Sequence, residues 1–176
     1  GGSSVAYISR QGVGCNCNFM DGAIDELRVW NDVRTQAEIK ANMHTELSGS
    51  ESNLVAYYNF NDGSGTTSTD LTSNSNDGTM TNMDASSDWV SNTLFAQDYS
   101  LDLDGTDDYV SITENSAFKP TSALTLSAWI YINDWSNSDY YTPISITQSG
   151  GYSFYLHTDD KLYFYIDAGG SYIHPS

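Results

Sequence analysis

The sequence predicts an all-β protein with one short helix, and three observations lead to this class. Charged residues make up 16% and aromatic residues 13% of the 176 positions, and Ser, Thr, Asn and Gly fill most other polar positions, which is typical of secreted β-proteins. Several segments alternate apolar and polar residues with the period of a strand. One short segment carries the start signal of a helix.

The clearest strand is predicted at 124–132, "LTLSAWIYI". The apolar residues of this segment share one face. The opposite face carries Thr125, Ser127, Trp129 and Tyr131. A hairpin is predicted at 152–167, because apolar residues alternate on both sides of a polar turn at 158–161.

Shorter elements complete the pattern. A strand is predicted at 54–60, and two more flank the acidic turn of 99–112, "YSLDLDGTDDYVSI". Thr35 and Glu38 form a T-x-x-E capping box, which predicts a helix of about eight residues. Turn-forming residues crowd 61–98, and so long a loop is better interpreted as a join between two units.

The acidic composition excludes some partners. Six Lys and Arg against 23 Asp and Glu give a net charge of −17, which opposes nucleic acid or an anionic membrane as a direct partner. No apolar run approaches the ~20 residues that cross a bilayer. Cys15 and Cys17 are too close for an easy unstrained disulfide, which favours free thiols, with a bond to a residue outside the chain as the alternative.

Two phrases carry a family resemblance. "SLDLDGTDDYVSI" followed by "LTLSAWIYI" resembles the opening of a laminin-G-like, concanavalin-A-like domain. "MDGAIDELRVWNDVRTQAEIKANM" resembles the closing phrase of the same family. The resemblance implies an antiparallel two-sheet jelly-roll sandwich, here incomplete because the middle of the domain is missing.

The order of the two phrases suggests an array of repeats. Residues 1–50 are predicted to be the C-terminal part of one laminin-G-like repeat, 51–97 a junction with a strand, and 98–176 the N-terminal part of the next repeat. We therefore expect a section of a longer polypeptide, or a sandwich whose missing strands come from another chain. A third arrangement packs 1–50 and 98–176 together as one incomplete, permuted sandwich.

The acidic turn is a candidate calcium site. Asp104, Asp107 and Asp108 offer hard oxygen ligands at close spacing on a Gly-containing turn, which suits Ca²⁺. The resemblance places Asp25, from the closing strand, near that turn. The alternative is that these carboxylates only cap backbone amides.

Catalysis is not expected. The adjacent acids Asp25 and Glu26 point to opposite faces of a strand, whereas a retaining glycosidase needs two carboxyl groups ~5 Å apart. The three His residues lie in no recognised nucleophile motif.

Aromatic residues on the strands are a candidate carbohydrate platform. They lie on the strand faces opposite the apolar residues and could stack on sugar rings, although a covering loop or ordinary cross-strand packing are the alternatives. The candidate residues are Trp129, Tyr131, Tyr155, Tyr163 and Tyr165.

The resemblance implies a non-catalytic adhesion module of a large bacterial surface protein, secreted or on the cell surface. Its partner would be a glycan or a surface protein, its calcium would be structural, and no membrane insertion is expected. The alternatives are a carbohydrate-binding accessory module of a polysaccharide-degrading enzyme and a purely structural repeat or filament subunit.

Overall fold

The computed structural model describes residues 5–12, 16–92, 98–113, 116–135, 140–146, 151–159, 161–167 and 172–173. Two antiparallel sheets pack face to face in this part of the chain. The strands are β1 (Val5–Ile8), β2 (Asp21–Trp30), β3 (Leu54–Tyr58), β4 (Thr67–Ser68), β5 (Gly78–Thr81), β6 (Trp89–Asn92), β7 (Asp98–Asp104), β8 (Tyr109–Thr113), β9 (Thr125–Ile132), β10 (Tyr140–Ile146), β11 (Tyr152–His157), β12 (Lys161–Asp167) and β13 (Tyr172–Ile173).

The larger sheet has the order β13-β12-β11-β10-β1-β8-β5-β4. In the smaller sheet, β9 pairs with one edge of β2, while β7 and β3 share the other edge, and β6 lies beyond β7. The strand that the sequence predicts as a closing element is thus the central strand of the smaller sheet.

A bulge in β2 separates the part of one edge that pairs with β7 from the part that pairs with β3. Its first half, up to Ile24, pairs with β7, and its second half, from Leu27, pairs with β3. The register with β9 shifts between Asp25 and Arg28, and Glu26 has a φ of 51°. Such a bulge turns the strand locally and changes which side chains face the core.

The two ends of the chain pair with each other. β1 lies between β8 and β10, and β2 pairs with β7 and β9, so 5–30 and 98–146 share both sheets. The intervening 51–97 contributes β3 and β6 to the smaller sheet and β4 and β5 to the larger one. This pairing corresponds to the third arrangement above, in which 1–50 and 98–176 pack together as one permuted sandwich. The division into repeats at 1–50, 51–97 and 98–176 stays a prediction.

One apolar core fills the space between the sheets. Its largest buried side chains include Tyr58, Phe60, Phe118, Tyr141 and Met20. The alternation predicted for β9 is confirmed, because its apolar residues pack on this core from one face. The helix α1 (Gln36–Asn42) begins with the predicted capping box, and a 3-10 turn spans Ser116–Phe118.

The sandwich is open at one end. Among the described residues β9 pairs only with β2, and the apolar side chains of Leu162 and Ile166 on β12 are 57% and 37% exposed. The predicted fold class, an incomplete antiparallel two-sheet jelly-roll sandwich with one short helix, is confirmed.

The cysteine prediction needs a correction. Cys17 is disulfide-bonded, so the expectation of a free thiol is wrong for this residue, and Cys15 lies outside the described residues. Close spacing disfavours a disulfide between two cysteines but does not exclude one. No helix in the described ranges is long and apolar enough to cross a membrane.

Candidate functional site

The acidic loop joins β7 of the smaller sheet to β8 of the larger one. Asp104, Asp107 and Asp108 bring carboxylate oxygens within 4.8 Å of one another. Gly105 has a φ of 72°, and a Cβ there would lie 2.6 Å from the Cβ of Asp21. The tight turn that gathers the three acids therefore requires glycine.

The loop also has internal hydrogen bonds. Asp104 Oδ1 accepts from the backbone N–H groups of Thr106 at 2.8 Å and Asp107 at 3.2 Å. Asp108 Oδ2 accepts from the N–H of Asp104 at 3.2 Å. Asp104 and Asp108 thus cap backbone amides of the turn, which was the alternative to a calcium site. The hydrogen bonds use one oxygen of each carboxylate, so the other oxygens could bind a cation.

Electrostatic repulsion surrounds the loop. Burial raises the pKa of Asp108 to about 6, helped by the neighbouring charges of Asp104, Asp88 and Asp107. Burial also raises the pKa of Asp102, and Asp88 and Asp21 add to this effect. A divalent cation would relieve this repulsion, so the donor set fits calcium.

The structure does not bring Asp25 to this loop. Asp21 is the residue opposite Asp104 in the sheet, and Asp25 lies four residues further along β2, about 13 Å away. Asp25 is 2% exposed, and its Oδ1 accepts from the N–H of Glu26 at 2.7 Å. Which residue of β2 lies beside the loop is set by its register with β7, a pairing between distant segments.

The five predicted platform residues divide between the two sheets. Trp129 and Tyr131 lie on β9 of the smaller sheet, and the other three lie on the larger sheet. Trp129 donates its indole N–H to the carbonyl of Met43 at 2.7 Å, and its ring lies 5.2 Å from that of His44. Trp129 thus anchors the segment that follows α1, whereas Tyr131 is 69% exposed.

A cluster of aromatic residues does form on the outer face of the larger sheet. We call it the tyrosine cluster, and its members are Tyr140, Tyr155, His157, Tyr163 and Tyr165. Tyr155 lies opposite Tyr163, and Tyr140 lies opposite His157. The ring centroids are between 4.5 and 6.5 Å apart.

Polar groups border this cluster at the β11–β12 turn. Asp159 accepts from the hydroxyl of Tyr163 at 2.9 Å and from Lys161 Nζ at 2.9 Å, and it lies 2.7 Å from His157 Nδ1. The hydrogen bond from Lys161, followed by that from His157, holds the pKa of Asp159 well below its usual range. The hydrogen bond to Asp159 raises the pKa of Tyr163.

Sequence reasoning missed two members of the cluster. His157 follows Tyr155 by two residues, so the alternation of β11 already placed it on the same face. Tyr140 joins only through the pairing of β10 with β11, which the sequence alone does not reveal.

A buried polar network lies on the outer face of β2 beneath α1. Glu26 is 1% exposed, forms an ion pair with Arg28 and accepts from the hydroxyl of Tyr57 at 2.7 Å. Arg28 also donates to the carbonyls of Asn42 at 2.9 Å and Thr45 at 2.7 Å. This network fastens the helical segment to the sheet and borders a cavity of about 140 Å³.

One comparison with known proteins gives a match. Residues 104–175 match the Concanavalin A-like lectin/glucanases superfamily. The match runs from the acidic loop through the tyrosine cluster, and it supports a laminin-G-like domain family for that part of the chain. A domain of this kind suggests a module that binds carbohydrate or protein. No curated protein and no solved structure matches the chain.

Proposed function

We propose that the chain is a non-catalytic recognition module of a bacterial surface or secreted adhesin, and that it binds carbohydrate through the tyrosine cluster. The observation that carries this proposal is the grouping of four Tyr and one His on the outer face of the larger sheet. Trp129 is not part of that surface, and Tyr131 lies on the other sheet.

The chemistry of the cluster suits a sugar. Aromatic rings offer apolar faces to the C–H groups of a pyranose, and Tyr hydroxyls offer hydrogen bonds at the same time. Tyr155 is 8% exposed, with Tyr140 and Tyr165 packed edge-on against it. This packing reduces the number of conformations available to the side chains, which lowers the entropy lost on binding.

Calcium would have a structural role in this proposal. Asp104, Asp107 and Asp108 would hold the ion, with backbone carbonyls completing the six to eight oxygens that calcium takes. The bound ion would stiffen the turn that crosses from one sheet to the other. Asp25 is left out of this set because its register places it away from the loop.

The acids of β2 support a non-catalytic role. Glu26 is engaged by Arg28 and by the hydroxyl of Tyr57, and Asp25 accepts from a backbone N–H. A nucleophile and a general acid would need to face one groove, whereas these two carboxylates are held in separate buried contacts.

The test is a glycan array probed with the full chain, followed by calorimetry on the strongest ligand with Tyr163→Ala and Tyr131→Ala. Tyr163→Ala should weaken glycan binding about 10-fold or more, because it removes one aromatic contact. Tyr131→Ala is the matched control and should bind as the unmodified chain does. Equal weakening by both variants, or no glycan ligand at all, would contradict the proposal.

The alternatives differ in their ligands. An accessory module of a polysaccharide-degrading enzyme should bind one class of soluble polysaccharide, while an adhesin should bind surface glycans or a surface protein. A purely structural repeat or filament subunit should bind neither, and should instead contact neighbouring repeats or another chain that completes the sandwich.

A further inference from the structure

A cavity lies between α1 and the outer face of the smaller sheet, apart from both the tyrosine cluster and the acidic loop. Its volume is about 140 Å³, and most of its lining comes from β2, α1 and β9. A protein cavity of about 150 Å³ is large enough to hold benzene. The volume therefore limits an occupant to about one six-membered ring.

Two tryptophans bound this cavity along the direction of the strands. Trp30 ends β2 and lies opposite Thr125, and Trp129 lies four residues further along β9, about 13 Å away. Ser127 lies between them, and its short side chain leaves space between the two indole rings. Ile39 of α1 lines the cavity from the other side. Such walls suit a flat apolar ring, because aromatic faces pack well on one another.

Two buried donors in this lining have no acceptor. A buried indole N–H normally finds a partner, and those of Trp89 and Trp129 donate to backbone carbonyls at 3.0 and 2.7 Å. Trp30 is 4% exposed, yet its N–H donates to no residue that the structure describes. Arg28 is also 4% exposed, and its Nε has no acceptor within the described ranges. An occupant that carries an oxygen atom would supply the missing acceptor, whereas a purely apolar one would leave the donors unpaired.

The charges in the lining balance. Arg28 pairs with Glu26, and Arg34 pairs with Glu38 at 2.9 Å. An anion would be repelled by the two carboxylates and a cation by the two guanidinium groups, and either would lose its hydration on entry. The lining therefore favours a neutral occupant.

We propose that this cavity binds a small neutral phenol, which is one aromatic ring with a hydroxyl group. The ring would lie between Trp30 and Trp129, and its oxygen would accept from the N–H of Trp30, with Arg28 Nε as a second donor in the lining. The phenolic O–H would donate to the hydroxyl of Ser127. This site is separate from the tyrosine cluster, so it does not depend on the proposed glycan.

NMR titration of the full chain with phenol, observing the indole N–H resonances of the four Trp residues, tests the proposal. The resonance of Trp30 should shift saturably with a Kd on the order of 1 mM, as expected for so small a ligand, and that of Trp89 should stay unchanged. Tighter binding of N-acetyltyrosinamide, which carries the same ring on a peptide backbone, would instead assign the cavity to a tyrosine side chain and overturn the proposal of a free phenol.

Three further probes separate the features of the ligand. Benzene lacks the oxygen and should bind at least several-fold more weakly than phenol, because the donors stay unpaired. Cyclohexanol keeps the hydroxyl group but lacks the aromatic face, so it should also bind more weakly. Benzoate carries a charge and should not bind. Equal affinity of phenol and any one of these probes would contradict the step that the probe tests.

Substitutions locate the site. Trp30→Phe keeps an aromatic ring and removes the N–H, so it should weaken phenol binding several-fold and leave benzene binding unchanged. Ile39→Trp should weaken phenol binding at least about 10-fold by filling the cavity. Val33→Trp is the matched control, because Val33 is 73% exposed and is not part of the lining.

The pair of Ile39→Trp and Val33→Trp keeps the test decisive if Trp30→Phe does not fold, since Ile39 is itself 38% exposed and tolerates a larger side chain. An unshifted Trp30 resonance at about 20 mM phenol, well above the expected Kd, would overturn the proposal. Equal phenol affinity in Ile39→Trp and Val33→Trp would overturn it as well.

Discussion

Replacing Arg28 with Met should destabilise the fold strongly. Arg28 is 4% exposed and forms an ion pair with Glu26, which is 1% exposed. The substitution keeps the unbranched apolar stem of the side chain but removes its charge and its donors to the carbonyls of Asn42 and Thr45. Glu26 would then be a buried carboxylate that has lost the positive charge beside it, although the hydroxyl of Tyr57 still donates to it.

The size of the effect follows from burial. Removing one partner of a buried ion pair costs about 3–5 kcal/mol, because the remaining charge stays desolvated. The control is Arg34→Met, which removes ion pairs with the more exposed Glu38 at 2.9 Å and Asp32 at 3.4 Å and a cation–π contact with Trp30 at 4.4 Å. Exposed pairs contribute about 0–1 kcal/mol each and such cation–π contacts about 0.5–1 kcal/mol, so the control should lose less stability than Arg28→Met.

Urea denaturation followed by Trp fluorescence measures both variants. Adding Glu26→Gln to Arg28→Met should recover part of the loss, because no buried charge remains. The deficit of Arg28→Met should also shrink towards about pH 4, where a desolvated carboxylate is more easily neutralised. Equal losses for Arg28→Met and Arg34→Met, or a loss below about 1 kcal/mol, would refute the reasoning.

Two further predictions concern the acidic loop. If calcium binds there, EGTA should lower Tm by several degrees, since ligand at 100 times its Kd stabilises by about 2.7 kcal/mol; an unchanged Tm would rule the ion out. Because the pKa of Asp108 is raised to about 6, above its unfolded value near 3.9, its stabilising contribution is present below about pH 4 and is lost as pH rises through about 6. In EGTA, Asp108→Asn should therefore raise the free energy of unfolding by about 1–2 kcal/mol near neutral pH and leave it unchanged near pH 4. Added calcium should abolish this gain. A lower free energy of unfolding near neutral pH in EGTA would contradict the prediction.

Local patterns in the sequence predicted local structure well. The capping box of Thr35 and Glu38, the strand at β9 and the hairpin of β11 and β12 all depend on neighbouring residues, and all are present. The three clustered acids also lie within five residues of one another. Each of these features follows from the period of the backbone or from the geometry of one turn.

Features that depend on distant pairing were not predictable in the same way. Alternation shows which side chains share a face of a strand, but not to which sheet the strand belongs, so it cannot separate Trp129 from Tyr163, which lie on different sheets. Likewise, only the register of β2 with β7 shows that Asp21, and not Asp25, is the neighbour of Asp104. The central position of β2 between β9 and two other strands required the bulge at Glu26.

The central claim is that the tyrosine cluster binds carbohydrate, and NMR titration of the Tyr ring resonances tests it most directly. With the strongest glycan from the array, the rings of Tyr140, Tyr163 and Tyr165 should shift saturably with a common Kd, while that of Tyr131 should stay unchanged. Saturable shifts confined to the acidic loop or to the segment around α1, with the cluster unchanged, would contradict the claim.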